Sequence, residues 1–126
     1  MNRREFTAGS GMAALVALFG CQSLEEKSGM YGIIGKMIAH DDKRDELVAI
    51  LLDGTRDMPG CLSYVVSKDL TDENGLWITE VWESQESHQA SLSLESVQQA
   101  IARGKPLIAG FGERFETSPV GGHGLV

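Results

Sequence analysis

Two residues of this chain, close together in sequence, are its foremost candidates for proton transfer. His88 is the domain's best-placed group titrating near neutral pH. Glu80 shares the period-two face of a strand with Leu76 and Ile78, so it is partly buried and requires a partner such as Arg103 or Arg114. Its role is either a structural ion pair or a general base with a raised pKa. Trp82, on that same face, reads as core packing or as a flat apolar wall for a ligand, and Tyr64 falls among the apolar residues of the preceding strand. Trp77 points to the opposite face and suits an interface or a pocket lining equally. Asn74 precedes Gly75 and is first of all a hairpin residue. His40 lies at a loop and His123 in a glycine-rich tail, which makes both weaker candidates. Neither a CxxC pair nor a His/Cys cluster at metal-ligand spacing is present, so no metal site is expected.

The first residues carry an address. Arg3-Arg4 is followed by an apolar run rich in small residues, from Gly11 to Gly20, ending in Leu18-Phe19-Gly20-Cys21. A charged start, a short apolar segment and a small residue at a cleavage point mark an export signal. The run is about half of the ~20 residues that span a bilayer, which argues against a permanent transmembrane helix. The arginine pair resembles a twin-arginine signal, and the final tetrad resembles a lipobox with Cys21 as the lipidated residue. The expectation is residues 1–21 as signal, 22–29 as a polar tether, and an exported protein, periplasmic or membrane-anchored through that signal or lipid alone.

Residues 22–126 suffice for one domain with one core. Loss of Arg3, Arg4 and Glu5 leaves nine basic and seventeen acidic residues, a net of −8, in place of −7 for the 126-residue chain. That sign repels phosphate backbones, and no basic stripe interleaves with aromatics, so no nucleic-acid partner is expected. Cys61 reads as a small buried strand residue.

The elements that must position these residues follow from periodicity. Tyr31 to Ala39 predicts a strand buried on both sides. Asp41 or Asp42 caps a helix whose apolar face is Leu47, Ile50 and Leu51, widened by Val48 and Leu52 and stopped at Met58-Pro59-Gly60. Cys61–Lys68 and Leu76–Glu83 alternate as strands around the polar turn Asp69–Gly75. In the first of these strands, Cys61, Ser63, Val65 and Ser67 fall opposite Leu62, Tyr64, Val66 and Lys68. Ser84 caps a second helix with a stripe at Leu94, Val97 and Ile101, ending at Gly104 and Pro106. Leu107–Thr117 is the last strand, its Gly110 and Gly112 marking a bulge or a close approach, and residues 118–126 form a tail or lid. The order βαββαβ is an α+β, ferredoxin-like split βαβ fold: a four-stranded antiparallel sheet with helices on one face. The uncovered face holds too many apolar residues for solvent, so a homodimer is expected.

Met58-Pro59-Gly60-Cys61-Leu62-Ser63-Tyr64 and Leu76-Trp77-Ile78-Thr79-Glu80-Val81-Trp82-Glu83-Ser84 resemble the antibiotic biosynthesis monooxygenase family, over Tyr31 to Thr117 in a domain 30–117. The resemblance implies a dimeric α/β barrel oxidising quinols or polycyclic phenols with molecular oxygen, without metal, flavin or haem. Within it, Asn74 would donate to a phenolate, His88 would accept the phenol proton, and Trp77, Trp82 and Tyr64 would bind the ring. Haem degradation is disfavoured, because the first strand has no asparagine and the region about Leu92 no histidine; Ser91 stands where many relatives carry histidine. The alternative within this fold is a non-catalytic dimer that binds a small aromatic ligand or serves a stress response.

Overall fold

The structure, a computed structural model, describes residues 29–125. The signal, lipidation and tether expectations, Arg3, Arg4 and Cys21 included, lie outside the described residues. Strand β1 (Tyr31–Ala39) is followed by helix α1 (Arg44–Gly54), β2 (Cys61–Lys68), β3 (Gly75–Trp82), α2 (Gln85–Ser91), α3 (Glu95–Gly104), a 3-10 turn (Lys105–Leu107) and β4 (Ile108–Thr117). The sheet runs β2-β3-β1-β4 with every neighbouring pair antiparallel, the order of the ferredoxin-like fold. The three described α-helices pack on one side of it.

Directly opposed residues of an antiparallel pair share a face, so the register assigns the faces. Ile33, Met37 and Ala39 of β1 join Leu76, Ile78, Glu80 and Trp82 of β3 on the helix side. Leu47 and Leu51 of α1 close over Ala39, Leu76 and Ile78 as one core cluster, while Met58, Trp82 and Val97 form a second. The other face carries Ile34, Lys36, Ile38, Val65, Trp77, Val81 and Phe115. Among the described residues no second layer covers it, so β1 is not buried on both sides as its apolar run predicted: Ile34 and Ile38 are only half-buried.

Several local expectations change. Asp42 does not cap α1; it turns the chain at φ 64°, Lys43 occupies the cap position without a side-chain bond, and Asp41 is engaged elsewhere by Asn74. Leu52 stays exposed on the solvent side of α1, whereas Val48 packs on the core. The strict alternation expected of β2 is broken where Cys61 pairs with Trp82 and Ser63 with Val81. Leu62 is the extra residue of this bulge, and Cys61 therefore faces the helices together with Tyr64 and Val66.

The second helix is two. The amides of Leu92, Ser93 and Leu94 donate to carbonyls three residues back, so one tight turn ends α2, and extended Leu94 starts α3. The hydroxyl of buried Ser91 donates to the His88 carbonyl (2.6 Å) at this break, and Leu94 turns inward against the Met58–Trp82–Val97 cluster. In β4 the register shifts near Gly112 and Gly110, as their positions predicted, and a Cβ at Gly112 would stand 3.1 Å from the Lys36 side chain.

Candidate functional site

A cavity of about 590 Å³ lies between the helices and the helix-facing side of the sheet. Leu47 and Leu51 of α1, Val97 and Ala100 of α3, and Met37 and Phe111 of the sheet make it apolar. Its polar inserts include Tyr64, Glu80, His88 and Ser91. A smaller hollow of about 280 Å³ shares Met37, Glu80 and Phe111 with it and reaches Gly35 and Arg114 beneath β4. An apolar chamber with a few convergent polar groups is the usual form of a small-molecule site.

Trp82 organises the polar end. It is 1% exposed, and its indole N–H donates to Glu80 Oε1 at 2.8 Å, a bond available because residues two apart on a strand share a face. The same indole meets the His88 ring edge-on, with centroids 5.5 Å apart and planes at 69°. Tyr31 closes on His88 from another side at 5.5 Å and 43°. The Tyr31 hydroxyl in turn donates to the Glu116 carboxylate on β4. That bond, followed by burial, raises the Tyr31 phenol above its ordinary pKa. His88 comes to the site because Ser84 caps α2, accepting from the Ser87 amide at 3.1 Å and fixing where the first turn begins. Its Nδ1 is sealed from solvent and has no hydrogen-bond partner among the described residues.

Burial pushes the Tyr64 phenol far above its ordinary pKa, and the Glu80 charge adds to the shift. Burial likewise raises the Cys61 thiol, which donates to the Ser63 carbonyl at 3.5 Å. Cys61 is a half-buried thiol packed against the Met58–Trp82–Val97 cluster, and its raised pKa disfavours the thiolate.

The structure thus brings His88, Glu80, Trp82 and Tyr64 to one cavity. It does not bring Asn74 or Trp77 there. Asn74 sits at the hairpin end, where its amide donates to Asp41 at 2.8 Å. Trp77 lies on the open face, donates to Asp69 at 2.8 Å, and has the Lys36 ammonium 5.8 Å from its ring centre. Glu80 is held by an indole and not by either expected arginine: Arg103 pairs with Asp53 (3.6 Å) and Arg114 with Glu116 (4.0 Å). His40 and His123 are exposed. Sequence reasoning missed Tyr31, whose contact with His88 is long-range, and Phe111, whose place between two glycines hinted that the strand re-aims it there.

The hairpin that holds Asn74 is built by carboxylates. Asp69 accepts from the amides of Thr71 and Asp72 and from the Trp77 indole, and these bonds, the Thr71 amide first, hold its carboxyl far below the ordinary range. Lys36 bridges Asp69 and Asp72 at 3.4 and 3.2 Å. One nitrogen of the Arg44 guanidinium donates to the carbonyls of Asp69, Asp72 and Gly75, tying the turn to α1. Among the described residues, no group of three His, Cys, Asp or Glu is placed to hold a metal ion, and no helix is long and apolar enough to cross a membrane.

Residues 30–103 match the model of the antibiotic biosynthesis monooxygenase family. A protein of Chloroflexus aurantiacus J-10-fl, named as a candidate antibiotic biosynthesis monooxygenase, is 63% identical with a TM-score of 0.75, covering 77% of this chain and 99% of its own. A Caulobacter crescentus CB15 protein named in the same way shares the fold at 22% identity and TM-score 0.68, covering 75% and 92% of the two chains. One from Nitrosomonas europaea does so at 13% and 0.64, covering 76% and 93%. No curated protein matches. The apolar chamber under a β2-β3-β1-β4 sheet and the match over most of the domain have one meaning: this chain belongs to the antibiotic biosynthesis monooxygenase family, and its general function is monooxygenase-like.

Proposed function

We propose that the protein is an exported, cofactor-independent monooxygenase that oxidises a quinol or polycyclic phenol with molecular oxygen. The observation that carries this reading is the pairing of an apolar cavity of about 590 Å³ with Glu80 and His88, both seated on the buried Trp82 indole. An electron-rich aromatic fits such a chamber, and removing its phenolic proton makes it a stronger reductant. For a simple quinol, one atom of dioxygen enters the ring and the other leaves as water, giving a hydroxyquinone. The substrate supplies all the electrons, so the equation balances without an external reductant. Excluding bulk water strengthens each electrostatic contact to the phenolate.

The uncovered sheet face, with Ile34, Ile38, Val81, Trp77, Val65 (49% exposed) and Phe115 (53% exposed), supports assembly as a homodimer through that face. The twin-arginine and lipobox pattern supports export and a tether at Cys21, which would put the cavity near lipid-soluble quinols.

The test is oxygen consumption by the purified protein with a panel of reduced quinols and anthrone-type phenols, with hydroxylated quinone as the product sought. Uptake above the autoxidation blank for at least one substrate is expected. Saturable binding with no uptake for any of them would replace the enzyme by a small-aromatic-binding protein.

A further inference from the structure

We propose that His88 acts as a hydrogen-bond donor through Nε2–H, and that Glu80, rather than His88, receives the ligand's phenolic proton. The inference rests on the proposed function for the ligand, and on the structure for the division of labour. It reverses the sequence expectation that His88 is the proton acceptor.

The two imidazole nitrogens stand in different surroundings. Nδ1 is sealed from water and has no partner within hydrogen-bond reach among the described residues. Nε2 is not sealed, and His88 lines the cavity, so Nε2 is the nitrogen left to meet a ligand. A neutral imidazole carries one proton, and it goes where it can be solvated. An N–H buried without an acceptor is among the rarest arrangements in folded proteins; an unpaired acceptor is less so. The proton therefore resides on Nε2, and the face His88 shows the ligand is a donor. Accepting a further proton there would require a second N–H at the sealed Nδ1.

Glu80 has the complementary arrangement. Trp82 occupies Oε1 at 2.8 Å, no described residue bonds Oε2, and Oε2 is not sealed. One carboxylate oxygen is thus fixed in place and the other is open to a ligand hydroxyl. Trp82 touches both groups, by a hydrogen bond to Glu80 and by its ring to His88. In the step proposed, the phenol O–H bond breaks, the proton goes to Glu80 Oε2, and the electron pair stays on the phenolate oxygen, which accepts from His88 Nε2–H.

Two measurements on the purified full-length protein test this. Long-range proton–nitrogen NMR of the free wild type is expected to show His88 protonated at Nε2 alone; a proton on Nδ1 overturns the proposal without any variant. Calorimetric titration with 2-naphthol, a phenol that is not a quinol, then compares His88→Gln with His88→Ala. A glutamine amide can reproduce an N–H near the Nε2 position but cannot act as a base. His88→Gln is expected to stay within about threefold of wild-type affinity, and His88→Ala to lose about tenfold or more. Equal losses in the two variants overturn the proposal. Should no quinol support oxygen uptake while both results hold, the enzyme reading falls and the donor assignment stands.

Discussion

Gly54 sets the spacing of the two helices that wall the cavity, and Gly54→Ala tests this quantitatively. A Cβ added there would stand 2.5 Å from the Ala100 Cβ, 3.1 Å from the Ser96 carbonyl oxygen and 3.7 Å from the Ala100 Cα, all on α3. Carbon atoms pack at about 3.5–4.0 Å, so α1 and α3 must part by about 1 Å. Neither neighbour is a flexible side-chain end. Overpacking of this kind costs ~1–3 kcal/mol, and alanine's helix advantage over glycine returns ~0.5–1 kcal/mol. A net loss of about 1.5 kcal/mol follows, which at a urea dependence of about 1.5 kcal/mol/M moves the unfolding midpoint down by about 1 M. Adding Ala100→Gly removes the clashing methyl. The double variant should then be less destabilised than the sum of the two single ones by ~1–2 kcal/mol. A Gly54→Ala protein as stable as wild type, or single effects that add to within about 0.4 kcal/mol, would refute the claim that this contact fixes the cavity width.

Trp82→Phe removes the donor to the Glu80 carboxylate in a residue 1% exposed; a loss of about 2–3 kcal/mol by urea unfolding is expected, and a loss under about 0.5 kcal/mol would contradict the bond. The Tyr64 phenol is raised by burial, so its contribution is complete below the unfolded tyrosine value of about 10 and fades as pH rises through that value. The fall in stability between about pH 9 and 11 should be shallower in Tyr64→Phe, with Tyr31 adding a residue of the same sign. Asp69 runs the other way, because its pKa is depressed: its contribution is complete above the ordinary aspartate value of about 3.9 and is lost as pH falls. Asp69→Asn should flatten the acid limb of the urea midpoint against pH and expose Trp77 to quenching. The proposed dimer through the open face predicts twice the chain mass in solution, with Val65→Lys returning it to one; a wild-type monomer contradicts the proposed dimer.

The strands were legible because their apolar and β-branched runs end at strong punctuation. β1 and β2 match the spans read from sequence, bounded by His40-Asp41-Asp42 and by Pro59-Gly60 and Asp69. The break between α2 and α3 was hidden, since Leu92-Ser93-Leu94 holds neither glycine nor proline and Leu94 keeps the stripe of α3. The Leu62 bulge was hidden because a run that alternates for eight residues gives no sign of where one residue is skipped. At the site, Glu80 and Trp82 shared a face by simple alternation, and His88 followed from the Ser84 cap. The partner of Glu80 was misread because an indole two residues away satisfied it before any distant arginine was needed. Asn74 and Trp77 were drawn toward the site by the family resemblance, while their bonds to Asp41 and Asp69 put them at the hairpin. No local pattern signals a contact as distant in sequence as that of Asn74 with Asp41.

The central claim is that this cavity directs oxygen onto a phenolic ring with Glu80 as the proton acceptor. Mass analysis of the product formed from an active quinol under isotopically labelled dioxygen, with wild-type protein and with Glu80→Gln, tests it most directly. The account predicts a hydroxyquinone carrying one labelled atom, formed at least about a hundredfold faster by wild type than by the variant. Unlabelled product, or wild type and Glu80→Gln both at the rate of the protein-free blank, would contradict it.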